Sequence, residues 1–227
     1  MKPEHRRGER ALWMEAAHAM GMDTASVEGT WEAQGDVAFF RGELLLFFGG
    51  RTTRKGTVSA AKHLAPGTDA RAPIFVEIRE PAFHGNMALL PLAHADRLLV
   101  CREVVGAESL AALARAFGEE RLLDVTTPEI RAYATNGLPI GDAILVPHLT
   151  PERIVTLLRE LGLDVVVLPM VELCEKAGGA SRCLVSHATV DDGAVHIPAA
   201  LDYRMRRDEL LRRLPRGVVP SRDTSSS

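Results

Sequence analysis

Val171-Glu172-Leu173-Cys174-Glu175-Lys176-Ala177-Gly178-Gly179-Ala180-Ser181-Arg182-Cys183-Leu184-Val185-Ser186 is the stretch on which the reading of the chain turns. Just before it, Asp164-Val165-Val166-Val167-Leu168 is short, apolar and β-branched, which predicts a buried strand. Ala177-Gly178-Gly179-Ala180 then breaks the pattern, because two adjacent glycines allow a positive φ and a close backbone approach. Ser181 to Val185 is expected to return as a strand with Cys183 at its mouth. A cysteine just after a tight glycine turn can face a ligand and be ringed by backbone N–H groups. With Arg182 adjacent, that setting favours a thiolate. A free cysteine is equally at home as a small buried apolar residue, and that structural alternative stands beside the functional one.

Working outward, the composition sets the class. Hydrophobic residues make up 46% of the 227 and charged residues 25%, the proportions of a globular protein with a sizeable core. A formal net charge of −3 gives no basic field, so neither nucleic acid nor an anionic membrane surface is an expected partner. Three cysteines without paired spacing argue against a disulfide framework and fit a reducing compartment. Met1 to Arg7 has no apolar stretch, and no apolar run approaches the roughly 20 residues that span a bilayer. A cytoplasmic protein is the expectation.

Along the chain, Glu9 to Met20 reads as an amphipathic helix, with Trp13, Ala16, Ala17 and Met20 on one face. Val37–Phe40 and Leu44–Phe48, joined by Arg41-Gly42-Glu43, read as a hairpin. A helix is expected from Arg54 to Ala65, with Val58 and Ala61 on one face and Pro66-Gly67 stopping it. Ile74–Ile78, Met87–Leu92, Arg97–Val100 and Ile140–Val146 read as strands. Glu108–Phe117 is a helix closed by Gly118. Thr150-Pro151-Glu152 offers an N-cap followed by proline at the first helical position, and Ile154, Leu157, Leu158 and Leu161 fill one face. The apolar stripes of the helices begin at Trp13, Val58, Leu110 and Ile154, with strands in each interval. That is a loose repeat of helix plus strands, as in modules stacked or arranged around an axis. Residues 1–201 are expected to form one domain, 202–220 a C-terminal helix and extension, and 221–227 a polar, disordered tail. Interleaved acids make the arginines of the 202–214 helix a solvated face rather than an RNA-binding one.

Several residues could carry chemistry. Glu32-Ala33-Gln34-Gly35-Asp36 sets two acids around a glycine just before a buried strand; a polar turn leading into the strand explains it equally well. Arg51-Thr52-Thr53-Arg54 follows Gly49-Gly50 and can simply lead into a helix. His84, in Phe83-His84-Gly85-Asn86, is a loop histidine suited to general acid/base work or to a structural role. Cys174, Cys183 and His187 lack the paired spacing of a zinc site, Gly178-Gly179 lacks the frame of a phosphate loop, and Ser186-His187 lacks a nucleophile elbow. No metal or cofactor is therefore expected.

Taken in order, these stretches resemble the amidinotransferase and dimethylarginine dimethylaminohydrolase family, the guanidino-modifying enzymes of the pentein superfamily. That family carries an acidic E-G-G-D or F-E-G-x-G-D motif at the start of a hairpin, then an arginine turn with serine or threonine, a central H-x-D, and a G-G-x-x-R-C motif near the C-terminus. Here the matching stretches are Trp31-Glu32-Ala33-Gln34-Gly35-Asp36, Arg51-Thr52, His84-Gly85-Asn86 and Gly178-Gly179-Ala180-Ser181-Arg182-Cys183. Ala134-Thr135-Asn136-Gly137-Leu138 is similar to the family's asparagine-containing strand in the penultimate module. The resemblance covers Lys2 to Ala188.

The resemblance implies a five-bladed pentein-type α/β propeller with the site on its axis. It implies Cys183 as nucleophile, His84 as general acid/base and Glu32 as the carboxylate orienting that histidine. Arg51, Asn86 and Asp36 would bind a small-molecule guanidino substrate, arginine or a derivative, with homo-oligomerisation possible. The chemistry suits these residue types: a thiolate attacks the guanidinium carbon, the histidine protonates the departing amine and then activates water, and the acid steadies the imidazolium. Two departures qualify it. Asn86 stands where many relatives have an aspartate gripping the guanidinium, and a neutral amide supplies no charge. The family's upstream F-T-R-D or F-T-A-N segment is not seen, so the first module is expected to be missing or incomplete. Hydrolysis is the expected activity. The alternatives are amidino transfer, or a weakened member acting as a binding or assembly module.

Overall fold

The computed structural model describes residues 8–64, 72–177, 179–185 and 197–199, together with 202, 205, 209 and 212. It divides into two compact units, one drawn from residues 25–188 and the other from 8–24 and 189–227.

The larger unit repeats one motif three times: an antiparallel hairpin, a helix, and a strand that pairs in parallel with the second hairpin strand. In the first module, β1 (Val37–Phe40) pairs antiparallel with β2 (Glu43–Phe48). The chain then runs through α2 (Arg54–Leu64) to β3 (Ile74–Glu77), parallel to β2; α1 (Glu9–Ala19) is the helix of the smaller unit. The hairpin turn is Arg41-Gly42, both with positive φ, which matches the right-handed twist of two-residue hairpins. The second module holds β4 (Leu89–Leu92), β5 (Arg97–Val100), α4 (Ala107–Phe117) and β6 (Leu122–Asp124). A single helical turn, α3 (Gly85–Ala88), precedes it. The third holds β7 (Leu138–Ile140), β8 (Ala143–Pro147), α6 (Glu152–Glu160) and β9 (Asp164–Leu168), with the short α5 (Thr127–Arg131) leading into it.

The middle strands β2, β5 and β8 are covered on both faces, and their apolar residues merge into one core with Val76, Leu113, Phe117, Ile154 and Leu158. Phe40 meets Phe117 edge-on at 5.0 Å, tying the first sheet to the second module's helix. Asp96 links the same two modules by accepting from Arg41 at 2.6 Å and Arg121 at 2.9 Å, and those cations hold its carboxyl below the usual range.

The mixed α/β architecture with small sheets is the expected class, but several expectations need correction. Of the expected five-bladed propeller, the described residues show three separate three-stranded sheets and no closed sheet. Ile140–Val146 is not one strand: Gly141, at positive φ, splits it into the β7–β8 hairpin. Met87 and Ala88 belong to α3, so β4 begins at Leu89. Val58 is half-exposed, and α2 buries Gly56, Thr57 and Ala60 instead. Pro151, rather than Thr150, flanks α6, and the buried hydroxyl of Thr150 has no partner among the described residues. Ser181–Val185 forms a turn, not a strand, after a π-helical turn over Leu173–Ala177.

In the smaller unit, α1 (Glu9–Ala19) forms as expected, but none of its residues is buried and Trp13 is 63% exposed. The expected helix over 202–214 and the tail over 221–227 lie almost wholly outside the described residues, as do Gly178, Pro66-Gly67 and His187.

Candidate active site

The site begins with two glycines. After β2 the chain must turn beneath the loop that carries His84. A Cβ on Gly49, whose φ is +106°, would sit 2.2 Å from the Ile78 carbonyl oxygen, and one on Gly50 would sit 2.3 Å from that of Phe83. Only glycine permits this approach. It lets Arg51 N–H donate to the Phe83 carbonyl at 2.9 Å, fixing the Arg51-Thr52 turn against Phe83-His84. Gly85 continues the close packing, since a Cβ there would overlap the Phe47 ring.

Thr52 joins the acidic segment to this turn. It is buried; its Oγ1 accepts from Glu32 N–H at 3.0 Å and donates to Asp36 Oδ2 at 2.6 Å. Between the two acids, Ala33–Asp36 forms a 3-10 turn with Ala33 at φ +56°. Asp36 is only 1% exposed. Its Oδ2 also lies 3.0 Å from His84 Nδ1, and its Oδ1 accepts the Gly85 N–H at 2.8 Å. Glu32 Oε2 stands 3.3 Å from His84 Nε2. The imidazole is thus held between two buried carboxylates. Arg51 lies with its guanidinium 4.3 Å over the Phe83 ring and 3.9 Å from Glu32 Oε2.

Cys183 is reached from the next residues of the same turn. Asn86, 3% exposed, donates from Nδ2 to Cys183 Sγ at 3.2 Å, while its Oδ1 is buried with no hydrogen-bond partner among the described residues. Asn136 donates to the same sulfur at 2.9 Å. Burial pushes the thiols of Cys101 and Cys174 up, whereas Cys183 is exposed. Arg182 Nη1 donates to the Leu89 carbonyl at 2.8 Å; burial lowers the pKa of its guanidinium to about 10, against the opposing charge interaction with Cys183.

The structure therefore gathers Glu32, Asp36, Arg51 and His84 at one end of a short turn and brings Asn86 to Cys183 at the other. Asp36 was expected against substrate; its oxygens are instead occupied by His84, Thr52 and Gly85. Thr52 and Asn136 were not among the candidates. Thr52 sits within the quoted arginine turn and Asn136 within the quoted asparagine strand, but nothing in either stretch says which residue it will bond.

No family model matches the chain, and no curated protein matches it by sequence. Solved structures do. The N-terminal domain of an ArgZ variant, covalently bound to a reaction intermediate, aligns with a TM-score of 0.68 at 24% identity, over 80% of this chain and 66% of that one. ArgZ is an arginine dihydrolase of the ornithine–ammonia cycle in cyanobacteria. AgrE in complex with L-arginine aligns with a TM-score of 0.71 at 21% identity, over 86% and 29%. DDAH from Pseudomonas aeruginosa, in complex with citrulline, aligns with a TM-score of 0.61 at 21% identity, over 78% and 65%. The chain spans two thirds or less of the length of these neighbours. What it shares with them is the fold, a mixed α/β arrangement of small sheets.

Proposed function

We propose that this chain is a guanidino-group hydrolase of the pentein superfamily, acting on arginine or an arginine derivative through a covalent intermediate on Cys183. One observation carries the reading: Cys183 Sγ accepts from Asn86 at 3.2 Å, two residues along the chain from a His84 ring that faces Glu32 and Asp36. A nucleophile, an acid/base and two orienting carboxylates thus surround one short turn, on the fold of enzymes solved with arginine, citrulline and a covalent intermediate.

In this reading the Cys183 thiolate attacks the guanidinium carbon and a tetrahedral centre forms. His84 gives a proton to the departing nitrogen, the C–N bond breaks and a thiouronium-type adduct remains on sulfur. His84, neutral again, takes a proton from water as the oxygen adds, and the S–C bond breaks to return the thiolate. Glu32 steadies the imidazolium, and Asp36 fixes the ring through Nδ1 while anchoring the peptide that follows it. Arg51, partly exposed beside the Phe83 ring, would meet a substrate carboxylate. The three modules are read as blades of the five-bladed pentein propeller.

A second reading has its own observation. Asn86 supplies no charge at a buried position beside the sulfur, and its oxygen waits for a donor. A weakened member that binds a guanidine without converting it would look the same at this residue. The two are separated by incubating the protein with arginine, methylated arginines and agmatine and following ammonia, amine and ureido products. Turnover lost in Cys183→Ser supports the hydrolase; saturable binding without turnover supports the binding module. Transfer of the amidino group to an added amine, in place of hydrolysis, would identify an amidinotransferase.

A further inference from the structure

We propose that Asn136 is a positioning residue for the nucleophile, holding the sulfur and the backbone of Cys183 with a single amide. The inference rests on reading Cys183 as the nucleophile. Asn136 is 1% exposed and makes three bonds to two consecutive residues. Its Oδ1 accepts the Cys183 N–H at 3.1 Å, its Nδ2 donates to Cys183 Sγ at 2.9 Å, and its backbone carbonyl accepts the Arg182 N–H at 3.0 Å. The orientation of the amide follows from chemistry. A backbone N–H can only donate, so the amide oxygen must face it, and the NH2 group is left facing the sulfur. The sulfur is thus an acceptor here, and an anionic sulfur gains more from the bond than a neutral one.

Asn136 is itself braced from behind. Its N–H donates to the Tyr133 carbonyl at 2.9 Å, and Tyr133 sits in the left-handed region at φ +65°. The Tyr133 hydroxyl donates to the Cys174 carbonyl at 2.7 Å, and Thr135 Oγ1 donates to the Met87 carbonyl, one residue after Asn86. A non-glycine residue keeps positive φ only where its surroundings over-determine it. The α5–β7 connection is therefore a rigid bracket joining the π-helical turn before Cys183 to the turn that carries His84 and Asn86. Cys183 is the exposed end of this arrangement, and Asn136 is the buried group that fixes where its sulfur points.

Two measurements on the full chain need no substrate, so they stand whether or not the guanidine reading does. In the parent protein, the Cys183 amide should exchange slowly with deuterium although its segment is exposed; exchange at the rate of an unstructured peptide would overturn the inference. Peptide-mapped alkylation by iodoacetamide at pH 7 should be roughly 10- to 100-fold slower at Cys183 in Asn136→Asp and Asn136→Ala, the equivalent of one hydrogen bond to an ion. Buried Cys101 and Cys174 serve as internal controls. Alkylation at the parent rate in variants with unchanged circular dichroism would overturn it. Where turnover is measurable, kcat should fall in Asn136→Asp with KM little changed. Parent-level kcat would contradict the positioning role while leaving the hydrolase reading intact.

Discussion

Asp36 holds His84 by two routes at once: Oδ2 lies 3.0 Å from the ring's Nδ1, and Oδ1 takes the N–H of Gly85 at 2.8 Å. One buried carboxylate thereby fixes both the ring and the peptide that follows it. Asp36→Asn would aim an NH2 group into a cluster of donors formed by Thr52, His84 and Gly85. A loss of about 3 kcal/mol in unfolding free energy is expected, within the range for stranding buried polar groups. The urea midpoint should fall accordingly, and turnover should drop even where the protein stays folded. An unchanged midpoint would separate Asp36 from the integrity of the site.

Ala33 occupies φ +56° between Glu32 and Gln34, a conformation that costs an L-residue about 1–2 kcal/mol. Ala33→Gly removes that strain at some cost in unfolded-chain entropy. The expected result is a gain of roughly 0.5–1 kcal/mol in denaturant unfolding with kcat/KM unchanged. Destabilisation would mean that the Ala33 methyl contributes contacts outweighing the strain.

Glu129 gives a pH dependence remote from the site. Arg153 bonds its carboxylate at 2.5 and 2.6 Å, and together with the Thr126 cap lowers it from 4.5 to about 2. A carboxylate lowered in the folded state stabilises it above the unfolded value, and the contribution fades as pH falls from about 4.5 toward 2. Arg153 is 54% exposed, so the pair is worth about 1 kcal/mol after screening. Arg153→Ala should raise the pH of acid unfolding, and its difference from the parent should shrink toward pH 2. A difference that persists undiminished at pH 2 would assign the effect to packing.

Asn86→Asp tests what the neutral amide does. It removes the N–H that reaches Cys183 Sγ at 3.2 Å and sets a negative charge there. Alkylation of the free protein at pH 7 should slow by roughly tenfold or more, since a like charge opposes the thiolate. A cationic guanidine should bind more tightly to the same variant, seen as a lower KM or Kd. Faster alkylation together with weaker binding would contradict the placement of Asn86 between sulfur and substrate.

The elements that could be read from sequence are those decided locally. Val37–Phe40 and Leu44–Phe48 are apolar runs around Arg41-Gly42-Glu43, and they form the β1–β2 hairpin, with Glu43 as the first residue of β2. Asp164–Leu168 is β-branched and forms β9, but none of its residues is buried and Val166 and Val167 are exposed, against the buried strand that its apolar run predicts; the α4 stripe ends at Gly118 as its pattern requires. Short elements escaped because three to five residues carry too little periodicity: β6, α5 and the split between β7 and β8 are of this kind. The returning strand after Ala180 failed for another reason. Arg182 N–H is taken by the Asn136 carbonyl and Cys183 N–H by the Asn136 side chain, so a side-chain bracket replaces a strand ladder. In the site, motif order pointed to Glu32, His84 and Cys183. The residues that hold them, Thr52 and Asn136, act across 20 and 47 positions of sequence and are visible only once the chain is folded.

In the proposed reaction Cys183 attacks a guanidinium carbon. The most direct measurement is an acid-quenched reaction of the full chain with arginine, methylated arginines and agmatine, followed by peptide mass analysis. Nucleophilic attack by Cys183 predicts a substrate-derived amidino-type adduct on the peptide containing Cys183, absent from Cys183→Ser, whose turnover is also lost. Turnover at the parent rate in Cys183→Ser, or an adduct borne by Cys101 or Cys174 instead, would contradict it.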